Sequence, residues 1–105
     1  MTPDSILIVE DSATQTLRLQ NTLEKNGFTV TAARDGRAAL DALAQNRPTL
    51  IISDIQMPVM DGYELCRQLK ADPALRDLPI ILLTSLSAPQ DIIRGLECGA
   101  DNFVT

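Results

Sequence analysis

The chain contains no histidine, and aromatic residues make up only 3% of its 105 positions. Without histidine there is no Ser-His-Asp catalysis, no His-ligated zinc and no phosphohistidine formed within the chain itself. Cysteine is scarce: Cys66 and Cys98 stand singly, in no metal-ligand spacing, as expected of reduced thiols in a cytoplasmic protein. Lysine is represented only by Lys25 and Lys70. No apolar run approaches the ~20 residues that cross a bilayer. Met1-Thr2-Pro3-Asp4 lacks the basic and apolar parts of a signal peptide, so no membrane association is expected. Nine basic against fourteen acidic residues leave a net charge of -5, which argues against direct nucleic-acid binding. Chemistry on this chain is left to carboxylates, hydroxyls and backbone groups.

What is present is a regular alternation of apolar runs and helical segments, with 45% hydrophobic residues, enough for one domain with one core. Residues 5–10 read as a buried strand, and Ser12 is positioned to cap a helix reaching about Asn26, with Gly27 as its stop. Residues 28–32 alternate apolar and polar, as an edge strand does. Asp35 can cap a second helix with Ala39, Leu40, Leu43 and Ala44 as its apolar stripe. Residues 50–54 form a third strand, 63 to about 71 a helix broken by Asp72-Pro73, and 80–84 a fourth strand. Ser87 and Gln90 fit a capping box opening a helix with Ile92, Ile93 and Leu96 inward; Gly99 ends it, and 102–105 make a fifth strand. This spacing predicts a flavodoxin-like, doubly wound α/β fold with a five-stranded parallel sheet. Continuous apolar runs put the first, third and fourth strands in the middle, giving the order 2-1-3-4-5 with its switch point between strands 1 and 3.

Glu10-Asp11 closes the first central strand and Asp54 the third, so three carboxylates converge on the edge where ligands bind in such sheets. Like charges this close require a cation among them, and an all-oxygen set suits a hard divalent ion, Mg²⁺ best. Asp54 can then serve as a nucleophile toward phosphorus, forming an aspartyl phosphate. Thr84, ending the neighbouring strand, offers a hydroxyl to the transferring oxygens, and Ser85 is a second candidate. Each residue also has a plain structural role open to it. Asp11 can cap the first helix, Asp61-Gly62 is a turn signal, and a Thr at a strand end is commonly satisfied by backbone.

Glu10-Asp11 after Ile6-Leu7-Ile8-Val9, Asp54 in Asp-Ile-Gln-Met-Pro-Val-Met-Asp-Gly, Thr84 after the fourth apolar run and Gly99-Ala100-Asp101-Asn102-Phe103 together resemble a response-regulator receiver domain, in order and over the whole chain. The resemblance implies a phosphoacceptor in a two-component phosphorelay, not an enzyme in its own right. Asp54 would take a phosphoryl group from a phosphohistidine on a histidine kinase or histidine phosphotransfer domain. It implies Mg²⁺ held by Asp11, Asp54 and the backbone carbonyl of Gln56, with Glu10 acting through water. Thr84 and Phe103 would be the switch pair, changing the face of the fourth helix and fifth strand, although Phe103 also reads as core. Gln56 and Leu86 stand where the family tunes loss of the phosphate.

The chain departs from the family pattern at its end. The family carries a lysine at the close of the fifth strand, then proline and a fifth helix, and Thr105 stands just before that lysine's place. The expectation is a receiver domain truncated at its C-terminus, with apolar sheet surface beside the first helix. That surface would be covered by a second copy or a neighbouring domain. The alternative function is a phosphate-independent, pseudo-receiver interaction module on the same fold, against which the intact acidic pair speaks. A haloacid-dehalogenase-like phosphatase would want an Asp where Gln56 stands, and a flavin binder would find its phosphate repelled by Glu10-Asp11.

Overall fold

A strand made of consecutive apolar residues has no polar side to turn to water, so it needs cover on both faces. The computed structural model, which describes residues 4–55, 57 and 59–83 and the backbone of 102–104, meets that demand by placing such strands centrally. In chain order the described elements are β1 (Ser5–Val9), α1 (Ala13–Lys25), β2 (Thr29–Ala33), α2 (Gly36–Gln45), β3 (Leu50–Asp54), α3 (Gly62–Ala71), β4 (Ile80–Leu83) and β5 (Asn102–Val104). All neighbouring strands run parallel, in the order β2-β1-β3-β4-β5. This is the expected doubly wound arrangement. The segment expected to hold the fourth helix lies outside the described residues.

Register divides the apolar side chains between the faces. Leu7 pairs with Ile51 and Ile51 with Ile80, so Leu7, Val9, Ile51, Ile80 and Leu82 share one face. They form the main core with Ala39 and Leu43 of α2 and Tyr63, Leu65, Cys66 and Leu69 of α3. Ile6 and Ile8 point the other way and are buried, whereas Ile52, Ile81 and Leu83 on that face are only half-buried. A cavity of about 290 Å³ opens there, lined by Ile8, Ile52 and Leu83 of the sheet and by Gln15, Arg18, Leu19 and Thr22 of α1. Apolar sheet surface beside the first helix is thus a feature of the described residues.

Local chemistry sets the helix ends. Ser12 caps α1, its Oγ accepting the Gln15 N–H (3.4 Å), and Gly27, with φ of +91°, turns the chain out of the helix. Asp35 caps α2 by accepting the Ala38 N–H (2.8 Å). Two expectations need correction. Ala44 is exposed, because the inward stripe of α2 runs through Ala39 and Leu43. Asp61-Gly62 is more than a turn: α3 starts at Gly62, one residue earlier than its apolar spacing suggests, and Asp61 caps it by accepting the Glu64 N–H (2.8 Å). At the other end of α3, the Lys70 ammonium donates to the carbonyls of Arg76 (3.1 Å) and Leu78 (3.3 Å), in the connection to β4.

Candidate functional site

Because β1 and β3 are parallel and Val9 lies opposite Ser53, both strands release the chain at the same sheet edge. The residues released there are Glu10, Asp11 and Asp54. One carboxylate oxygen from each can be chosen so that all lie within 4.8 Å of one another. Glu10 is held from two sides. Its N–H donates to the Ala33 carbonyl at the end of β2 (3.0 Å), and its Oε1 accepts the Ser12 N–H (3.1 Å). It is 8% exposed, while Asp54 is half-buried and Asp11 open to solvent. Asp11 does not cap α1, since Ser12 does.

Burial raises the Glu10 carboxyl from 4.5 to about 7; the Ser12 N–H pulls the other way, and the charges of Asp54 and Asp11 add to the rise. An acid pushed toward neutrality by burial, and further by two neighbouring carboxylates, is a candidate site for a compensating positive charge. Three carboxylates with oxygen donors only match a hard divalent cation, so the residues present fit Mg²⁺.

The backbone on either side of Asp54 is closely held. The Asp54 Oδ1 accepts the Ile55 N–H (2.8 Å), and its carbonyl accepts the hydroxyl of fully buried Ser53 (2.8 Å). The loop that follows is pinned at its base, where the Gly62 N–H donates to the Ile55 carbonyl (2.8 Å). Within it Val59 adopts φ of +69° and is 86% exposed. Such a conformation is rare for a β-branched residue. Met60 lies against Gly36 at the start of α2, where a Cβ would meet its sulfur at 2.7 Å.

The structure therefore brings together Glu10, Asp11 and Asp54. Thr84, Gln56, Ser85 and Leu86 lie outside the described residues; Phe103 is described only as backbone of β5, opposite Leu82. Sequence reasoning did not anticipate Ser53 or Gly62 as supports of Asp54, nor that Arg18 of α1 lines the same cavity as Glu10 and Asp54. Arg18 carries no local signal pointing there, because only the packing of α1 across β1 decides what its side meets.

The family model described as the response regulator receiver domain matches residues 6–105. A curated relative, the response regulator MprA of Mycolicibacterium vanbaalenii, is 40% identical over 97% of this chain and 43% of its own length. The chain thus spans less than half of that relative. Among solved structures, the signal receiver domain of a signal transduction histidine kinase from Syntrophus aciditrophicus is 56% identical with a TM-score of 0.92, over 97% of this chain and 77% of that one. The receiver domain of a sensor histidine kinase from Pseudomonas aeruginosa, with a magnesium ion coordinated in its active site cleft, is 30% identical with a TM-score of 0.89, over 98% of this chain and 84% of that one. Matches of this extent, to sequences and to structures alike, reach beyond a shared fold. On them the chain belongs to the family of response-regulator receiver domains.

Proposed function

We propose that this receiver domain is a phosphoacceptor switch in which Asp54 takes a phosphoryl group from a phosphohistidine on a partner histidine kinase or phosphotransfer domain. The observation that carries the reading is the convergence of three carboxylates within 4.8 Å at the switch-point edge of the sheet. The donor histidine lies outside these 105 residues, which contain none.

In the transfer, one Asp54 carboxylate oxygen forms a bond to phosphorus as the phosphorus–nitrogen bond of the donor breaks. The electron pair leaves with the imidazole nitrogen, which takes a proton from solvent. The other Asp54 oxygen, Oδ1, is held by the Ile55 N–H, which limits rotation of the carboxylate. Glu10 and Asp11 with Asp54 would hold Mg²⁺, together with the Gln56 carbonyl that the family resemblance assigns. A bound Mg²⁺ supplies charge neutralisation for the carboxylates and the phosphoryl oxygens. Thr84 is assigned the hydroxyl and Phe103 the aromatic part of the switch. The added charge of about -1.5 to -2 shifts a two-state equilibrium read on the fourth-helix and fifth-strand face.

Acetyl phosphate with Mg²⁺ should label the wild-type protein and leave Asp54→Asn unlabelled, as read by intact mass. Equal labelling of the two proteins would refute the assignment. No labelling of either, with partner binding indifferent to Asp54→Asn, would favour the phosphate-independent interaction module.

A further inference from the structure

We propose that Gly62 is a positioning residue for Asp54, an inference that rests on the phosphoacceptor reading above. Its position on the chain reads as an ordinary turn glycine, but its surroundings give it a second task. A Cβ at residue 62 would stand 2.5 Å from the Asp54 carbonyl oxygen, 2.9 Å from the Ile55 Cα and 3.2 Å from the Asp54 carbonyl carbon. All three are backbone atoms, so no flexible side chain can swing away. The first residue of α3 therefore lies directly against the peptide that joins Asp54 to Ile55. That same peptide carries the N–H that grips Asp54 Oδ1 and the carbonyl that accepts the Ser53 hydroxyl. The Gly62 N–H adds a hydrogen bond to the next carbonyl, that of Ile55 (2.8 Å).

Relief of the 2.5 Å contact to 3.0 Å or beyond requires a movement of at least about 0.5 Å. α3 resists it, because Tyr63, Leu65, Cys66 and Leu69 anchor the helix in the core at 3% exposure or less, and Asp61 caps it. The displacement falls on the Asp54–Ile55 peptide and rotates the N–H that aims the carboxylate. Gly62 thus transmits the fixed position of α3 to a nucleophile on β3.

The test compares Gly62→Ala with Gly27→Ala. Gly27 lies remote from the acidic edge, and the substitution strains a left-handed turn (φ +91°) with nothing within 4 Å of the new Cβ. Asp54 phosphorylation by acetyl phosphate with Mg²⁺ should slow about tenfold or more in Gly62→Ala, the scale of loss expected from sub-ångström misplacement. The Ile55 amide resonance should shift in a protein that still unfolds cooperatively. Gly27→Ala should lose stability and keep its rate. Should Gly62→Ala fail to fold, Ser53→Ala removes the hydroxyl from the same carbonyl and should slow labelling about three- to fivefold, the worth of one hydrogen bond, with the same amide shifted. A wild-type rate and an unshifted Ile55 amide in the folded variant overturn the positioning role and leave the phosphoacceptor reading intact. Labelling that survives Asp54→Asn overturns both.

Discussion

Glu10 makes the acidic edge measurable without any phosphodonor. Its carboxyl is raised from 4.5 to about 7 by burial and by neighbouring charges, so between those values the folded protein binds a proton that the unfolded chain has released. Stability from this group is therefore fully present below pH 4.5 and is lost as pH rises to about 7, after which the loss stays constant. Taken at face value the shift corresponds to about 3 kcal/mol. Solvent screening at the edge, where Asp11 is exposed, reduces the effect to about 1–2 kcal/mol. Glu10→Gln has the same shape without the charge, so the comparison cancels the titration of the carboxylates away from the acidic edge. In metal-free buffer the variant should match the wild type near pH 4 and exceed it by about 1–2 kcal/mol at pH 8, or roughly 4–8 °C in Tm per kcal/mol for a domain of this size. Thermal unfolding followed by circular dichroism across that range reads it directly. Millimolar Mg²⁺ should stabilise the wild type more at pH 8 than at pH 5, because at pH 5 the ion must displace the Glu10 proton. Parallel curves for wild type and variant in metal-free buffer would refute the reasoning, since Glu10 would then titrate alike in both states.

Three further outcomes follow from the packing. Asp61→Ala removes the α3 cap and should cost about 1 kcal/mol in urea unfolding; no loss would mean that the Glu64 N–H finds another acceptor. Val59→Asn retains an exposed side chain but suits the left-handed backbone, and should stabilise by about 0.5–1 kcal/mol, checked by the urea midpoint at constant slope. Leu65→Ala empties a fully buried site between α3 and the sheet and should cost about 2–5 kcal/mol by the same assay.

Much of the architecture was legible because it is written in short-range patterns. Ile6-Leu7-Ile8-Val9 and Leu50-Ile51-Ile52 announce buried strands by lacking a polar alternate, and residues 28–32 announce an edge by having one. Ser12 and Asp35 declare helix starts through side chains that accept a nearby N–H. From strand order alone, Glu10, Asp11 and Asp54 meet at one edge. The supports of Asp54 were not legible, since they depend on distances between elements. Asp61-Gly62 looks the same in sequence whether it turns in solvent or starts a helix pressed against a strand end. Ser53 gives no hint that its hydroxyl will be sealed in the core with the Asp54 carbonyl as acceptor. The rise at Glu10 comes from burial that only the folding of α1 and β2 around it creates.

The pairing of β1 with β3 has a kinetic consequence. The two strands are separated in the chain by α1, β2 and α2, so their register forms only after a long loop has closed. No fragment of the sheet short of that pairing holds Glu10 opposite Asp54. A divalent ion bound at that edge would favour only chains in which the pairing has formed; with the pairing absent from the folding transition state, it would slow unfolding and leave the refolding rate nearly unchanged. On the function proposed above, an ion bound at this edge would both prepare the switch and lengthen the lifetime of the fold that carries it.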